Sequence, residues 1–123
     1  MSATRASAVL IVDDDDDIRE SFSELLADEG FTVGEASNGA DALAYLESHA
    51  LPNLIVLDLM MPVMDGVEFR RRQLVDPRWA AIPVLVMSAS DRGAEIAAEL
   101  GVTGFLAKPA RGKELIAAVT RLC

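Results

Sequence analysis

Four short apolar runs in this chain stop at a polar residue equipped for chemistry. Ala8-Val9-Leu10-Ile11-Val12 ends in Asp13-Asp14, Leu54-Ile55-Val56-Leu57 in Asp58, Ile82 to Met87 in Ser88, and Val102 to Ala107 in Lys108. When such runs are strands of one sheet ending on a common edge, three carboxylates meet there, and like charges a few ångströms apart repel unless a cation or proton intervenes. A hard divalent ion resolves the conflict. Oxygen-only ligation with no His or thiolate nearby selects Mg²⁺ or Mn²⁺ over zinc, and Mg²⁺ keeps waters while using only one or two carboxylates. Positions then stay open for a phosphoryl group, whose oxygens Lys108 neutralises and Ser88 hydrogen-bonds. The set suits phosphoryl transfer, with one carboxylate attacking phosphorus in line. Asp58 is the candidate nucleophile because it stands alone at the end of the middle run, whereas the adjacent Asp13 and Asp14 suit a metal. The product is an aspartyl phosphate, bringing roughly −1.5 to −2 charge to the site and able to pull a loop.

The elements that position these groups follow from hydrophobic pattern. Each apolar run reads as a strand buried on both faces, and Phe31 to Ala36 adds another. Between them, Ile18, Phe22, Leu25 and Leu26 recur at helical spacing, with Asp16 as the expected N-cap and Gly30 as the stop. Ala42, Leu43 and Leu46 mark a second helix after the turn Ser37-Asn38-Gly39. Val67, Phe69 and Leu74 mark a third, which carries Arg70, Arg71 and Arg72 and ends at Asp76-Pro77. Asp91 to Leu100 is an alanine-rich fourth helix closed by Gly101, and Leu115, Ile116, Val119 and Leu122 define a last one. Five strands alternating with five helices predict an α/β fold: an open five-stranded parallel sheet covered on both faces by right-handed crossovers. All strand C-termini then open on one edge, where ligands bind near a topological switch point.

The chain has 123 residues, a formal net charge of −9 and 51% hydrophobic residues, which is enough apolar surface for one compact domain without disulfides. The acidic excess lies in the first third. Such a charge disfavours direct binding to nucleic acid or anionic lipid. No apolar run approaches the ~20 residues that span a bilayer, and no secretory leader precedes the first strand. Cys123, the single cysteine, cannot form an intramolecular disulfide, so the cytoplasm is the expected compartment.

In order and spacing these residues resemble the receiver domain of two-component response regulators, from Ala8 to Leu122. The resemblance rests on the acidic pair Asp13-Asp14, on Asp58 followed by Met61-Pro62-Val63-Met64-Asp65-Gly66, on Ser88-Ala89 and on Lys108-Pro109. It implies a flavodoxin-like (βα)5 three-layer sandwich of strand order 2-1-3-4-5, with a polar lead at 1–7 and the receiver over 8–123. It further implies that Asp58 is the phosphoacceptor and that Asp14 and Asp58 bind Mg²⁺ directly. Asp13 assists through water, and the backbone carbonyl of Met60 is a further ligand. Lys108 pairs with the phosphoryl group and Ser88 moves to hydrogen-bond it. Phe105, at a position where many members have Tyr, swings into the vacated space by packing alone. That alters the face of the fourth helix, fifth strand and fifth helix, which a downstream protein partner reads. A sensor histidine kinase or phosphotransfer protein is the donor, and the domain catalyses only its own phosphorylation and dephosphorylation. The Lys108-Pro109 bond is expected to be cis. Met60 and Ser90 occupy positions that resemble those tuning phosphoryl lifetime, and Asp16 stands where many members have Pro.

Plainer readings cover the remaining features. Asp15 and Asp17 read as solvated surface, Arg70 to Arg72 as a solvated helix face, and His49 as a surface residue near a helix end. Met1 and the short polar lead favour a stand-alone receiver over a piece of a larger regulator or hybrid kinase. A Mg²⁺-dependent phosphatase using an aspartyl phosphate would want an acid two residues past the nucleophile, where Met60 stands. A flavin binder would want a phosphate-cradling loop after the first strand, where Asp13 to Asp17 repel an anion.

Overall fold

The computed structural model describes residues 7–123; most of the polar lead, residues 1–6, lies outside the described residues. In chain order the elements are β1 (Ala8–Val12), α1 (Asp16–Asp28), β2 (Thr32–Ala36), α2 (Gly39–Ser48), β3 (Leu54–Asp58), α3 (Gly66–Val75), β4 (Val84–Ser88), α4 (Gly93–Glu99), β5 (Gly104–Ala107) and α5 (Gly112–Leu122). All strand pairs are parallel and their order is β2-β1-β3-β4-β5. The expected fold class and strand order are the observed ones.

Alternation along the central strands explains their continuous apolar character. Leu10, Val12, Ile55, Leu57, Val84 and Val86 pack with Ala42, Leu46, Phe69 and Ala97 of α2, α3 and α4. Val9, Ile11, Leu54, Val56, Leu85 and Met87 turn the other way, onto Leu26, Leu115, Ala118 and Val119 of α1 and α5. With both faces covered, every residue of these strands must be apolar until the strand leaves the helical layers. Each fully buried Leu or Ile is worth about 1.5–3 kcal/mol, so the sheet is a stiff platform and the polar residues at its rim are held by it.

Several boundaries differ from the sequence expectation, each for a local reason. β4 begins at Val84 because Pro83 has no N–H to give the ladder; its carbonyl still accepts from Ile55 N at 3.0 Å. α4 begins at Gly93, since the Ser90 side chain turns back to accept from Arg92 N at 3.1 Å. The α1 N-cap is Asp15, not Asp16: Asp13 Oδ1 accepts from Asp15 N at 2.9 Å, and the tightened turn leaves Asp15 extended, accepting from Ile18 N at 3.1 Å.

The three consecutive arginines do not form one solvated face. Arg71 and Arg72 are exposed and pair with Glu68, but Arg70 is only 7% exposed. Its Nε donates to Leu100 O at 3.2 Å, Nη2 to Gly101 O at 3.1 Å and Nη1 to Gln73 Oε1 at 2.9 Å. Gln73, itself fully buried, donates to Trp79 O and Ile82 O. Gly66, Phe69, Arg70 and Gln73 form the buried stripe of α3 at i, i+3, i+4, i+7, and the carbonyls of Leu100 and Gly101, just past the end of α4, rest against it.

Val63, in the loop from β3 to α3, has φ +68° and is 85% exposed. A β-branched residue in the left-handed region is strained by about 1–2 kcal/mol, and this one recovers nothing through burial. Val63→Asn, which tolerates that conformation, is expected to raise unfolding free energy by about 1 kcal/mol, read from denaturant melts; an unchanged or lower midpoint would count against strain at this residue.

Candidate functional site

The C-terminal ends of β1, β3, β4 and β5 bring the sequence-nominated groups to one rim. Asp13 and Asp58 are buried, Asp14 is exposed, and one carboxylate oxygen from each lies within 4.8 Å of the other two. Lys108 crosses from β5 to join them: its Nζ donates to Asp13 Oδ2 at 2.8 Å and to Asp58 Oδ2 at 3.1 Å. The Lys108-Pro109 peptide is cis. Asp58 Oδ1 accepts from the amide of Met60 at 3.4 Å, while Met60 itself is 70% exposed.

Burial is the largest influence on the Asp58 carboxyl and raises its pKa; the Lys108 charge opposes this, the Asp13 charge reinforces it, and the net shift is upward. For Lys108, burial acts to lower the pKa, but the bond to Asp13 and the charges of Asp13 and Asp58 prevail, so the ammonium is held charged above its ordinary value. One ammonium faces three carboxylates, which leaves the rim negative and suited to a further cation. The donors are all oxygens, the ligand type of a hard divalent ion. A depression of about 300 Å³ bordered by Asp14, Met60, Met61, Pro62 and Asp65 leaves the cluster open on one side.

The loop after Asp58 is pinned by the following helix. Asp65 caps α3 by accepting from Glu68 N at 2.9 Å. Gly66 then lies so close to the strand end that a Cβ there would collide with Asp58 O, so no side chain fits at that position. Ser88 is buried, with its Oγ accepting from Ser90 N at 3.1 Å rather than reaching Asp58. Its carbonyl accepts from Lys108 N at 2.9 Å and joins the ends of β4 and β5. Phe105 lies half-buried beside it: a Cβ on Gly93 would sit 2.9 Å from Ser88 Cβ and 3.0 Å from Phe105 Cε1. The first turn of α4 therefore rests on both residues.

Residues 9–120 match the family described as response regulator receiver domain. The chain belongs to that family. Receiver domains are regulatory phosphoacceptor modules of two-component systems, and they generally bind Mg²⁺ at an acidic pocket. The receiver domain here is 36% identical to the alkaline phosphatase synthesis transcriptional regulatory protein SphR of Synechococcus elongatus, over 94% of the chain and 48% of SphR. It is 38% identical to the transcriptional regulatory protein GltR of Pseudomonas aeruginosa, over 99% of the chain and 50% of GltR. The chain thus spans about half the length of these relatives. Among solved structures it superposes on the chemotaxis response regulator CheY4 of Vibrio cholerae with a TM-score of 0.87 and 31% identity, covering 96% of this chain and 99% of that one.

Two residues near the rim escaped the sequence reading. Gly93 carries no motif that would mark it. Arg19 is the other: its side chain is 12% exposed and reaches across the turn that carries the acidic pair. His49 stacks on Tyr45, ring centroids 3.9 Å apart, on the exposed part of α2 and away from the rim. Cys123 is exposed at the end of α5. No helix among the described residues is long and apolar enough to cross a membrane.

Proposed function

We propose that this receiver domain takes a phosphoryl group onto Asp58 from a phosphohistidine of a sensor kinase or phosphotransfer protein in the cytoplasm. Asp14, Asp58 and the backbone carbonyl of Met60 hold Mg²⁺, or Mn²⁺ in its place, with Asp13 assisting through water. The observation that carries this reading is the Lys108 ammonium shared between Asp13 and Asp58 at 2.8 and 3.1 Å. It places a fixed positive charge beside a carboxylate that would otherwise have no reason to be buried at a strand end.

An Asp58 oxygen attacks phosphorus as the P–N bond of the donor breaks, its electron pair leaving on the imidazole nitrogen. A bound divalent cation supplies neutralisation of the charge on the non-bridging oxygens. Lys108 gives up part of its contact with Asp58 and donates to a phosphoryl oxygen instead. Ser88 trades the Ser90 amide for another phosphoryl oxygen. Phe105, with no phenolic hydroxyl to satisfy, follows into the space that Ser88 vacates by packing alone, and the α4-β5-α5 face changes for a downstream protein partner. The groove of about 430 Å³ lined by Ile18, Phe22, Met87, Ala89, Pro109 and Ala110 adjoins Lys108 and offers a donor protein an apolar footing beside the phosphoacceptor.

Incubating the purified chain with acetyl phosphate and Mg²⁺ tests the reading. The expected result is one phosphoryl group per chain by intact mass, lost on hydroxylamine treatment as an acyl phosphate must be, and absent when EDTA replaces the metal. A label that resists hydroxylamine, or that forms equally well without divalent metal, would sink the proposal.

A further inference from the structure

We propose that Arg19 is the positioning residue of the cation site, fixing the direction of the Asp13 and Asp14 carboxylates through the peptide that joins them. The proposal rests on the reading that this acidic cluster holds a divalent cation.

The turn from β1 to α1 reverses the chain within Asp13, Asp14 and Asp15. Asp13 is tied on every side: its N–H donates to Ala36 O at 3.1 Å, its Oδ1 accepts from Asp15 N at 2.9 Å, and its Oδ2 accepts from Lys108 at 2.8 Å. Its carbonyl precedes the helix and has no intrahelical donor, because the first helical acceptor bonded from Arg19 N is Asp15 O. Arg19 Nη1 fills that place at 2.7 Å. Because the peptide unit is planar, a bond that fixes the Asp13 carbonyl also fixes the Asp14 N–H and the direction in which Asp14 leaves the backbone. Asp14 depends on this more than Asp13 does, since its exposed carboxylate has no hydrogen-bond donor among the described residues.

The rest of the guanidinium is committed elsewhere. Nη2 donates to Asp16 Oδ1 at 2.7 Å and Nε to Glu35 Oε1 at 2.9 Å, one carboxylate from α1 and one from β2. Those two acids absorb most of the positive charge, and the planar fork they anchor aims the remaining N–H at the Asp13 carbonyl. The influence of Arg19 on the cluster is therefore geometric before it is Coulombic. A lysine supplies the same charge but no rigid fork able to reach three acceptors at once.

Geometry and charge predict opposite signs for Arg19→Met, and for Arg19→Lys, which keeps the charge, only geometry predicts a change. Removing a cation near three carboxylates tightens Mg²⁺ binding if charge alone matters; loosening the peptide weakens it. For Arg19→Lys and Arg19→Met, titration calorimetry with Mg²⁺ alone is expected to show affinity about 10–100-fold below that of the parent, the range for losing an outer partner of a metal ligand. Melts without metal report the purely structural effect separately. Arg19→Lys is the variant that keeps the test valid if Arg19→Met does not fold. Mg²⁺ affinity in Arg19→Lys equal to or tighter than the parent's would overturn the proposal. A parent that does not bind Mg²⁺ would instead refute the underlying cation site, and Arg19 positioning with it.

Discussion

Asp58→Asn is expected to lower labelling by acetyl phosphate by at least ~10⁴-fold, the scale on which loss of a nucleophile acts, and at the same time to make the metal-free protein more stable. The two effects share one cause. Asp58 is buried at 6% exposure, and burial, the largest influence, keeps its carboxyl pKa above the ordinary value. A raised pKa means that the folded state holds the proton more tightly than the unfolded chain does. The stability Asp58 contributes is thus complete below its unfolded pKa and is lost as pH rises through the folded one. At neutral pH the metal-free parent carries the full penalty, whereas asparagine is close in shape and never ionises. Lys108 is not stranded by the substitution, because Asp13 Oδ2 still accepts from it at 2.8 Å. A gain of about 0.5–2 kcal/mol is expected near pH 7, shrinking as pH falls toward the ordinary carboxylate range, because protonation then relieves the parent of the same penalty. Melts of both proteins from neutral pH down to that range with EDTA present check the sign. A variant less stable than the parent at neutral pH would show that the Lys108 contact outweighs burial; separate samples of both proteins, with Mg²⁺ and acetyl phosphate in place of EDTA, give the labelling rate.

The rim was legible in the sequence because it is made of exceptions. Buried strands demand apolar side chains, so Asp13, Asp58, Ser88 and Lys108 stand out as the first residues to break the demand, and parallel topology puts all the strand ends on one edge. The rest was obscured where the same rule was broken inside a helix. Reading α3 by its apolar residues alone selects Val67, Phe69 and Leu74, yet Leu74 is 46% exposed while Arg70 and Gln73 lie on the buried stripe. The signal was the spacing from Gly66 and Phe69, which polar side chains at the next two positions concealed. The α1 cap was misplaced for a related reason. In a run of five aspartates, composition does not distinguish Asp15 from Asp16, and the choice is made by the Asp13 carboxylate bonding the Asp15 amide. Arg19 could not be valued from sequence because the acceptor that links it to the acidic pair is a backbone carbonyl.

Arg70→Met is expected to produce the largest loss of stability outside the hydrophobic core, about 2–4 kcal/mol. Two terms oppose each other. Desolvating a guanidinium that has no carboxylate partner among the described residues is unfavourable, and burial accordingly lowers its pKa; methionine removes that penalty while filling much of the volume. Against this, three acceptors lose their donor. Gly101 is exposed, so its carbonyl turns to water, and Leu100 is partly covered. Gln73 Oε1 has no such recourse, since the residue is fully buried and its amide is already committed to Trp79 O and Ile82 O. An orphaned buried acceptor costs about 1–3 kcal/mol. The charge itself also sits at the carbonyl end of α4, where the helix dipole favours it. The acceptor losses therefore prevail. Because Arg70 ties α3 to the end of α4, the damage is local: amides of Leu100, Gly101 and Val102 exchange faster in the variant, while those of β1 and β3 move only with global stability. A double-mutant cycle with Gln73→Leu isolates the link between the two side chains, with a coupling of about 1–3 kcal/mol expected for partners in one buried network. Stability within about 0.5 kcal/mol of the parent, the range of an ordinary surface substitution, would mean that removing the buried charge compensates for the lost bonds, and that α4 is held by its apolar contacts alone.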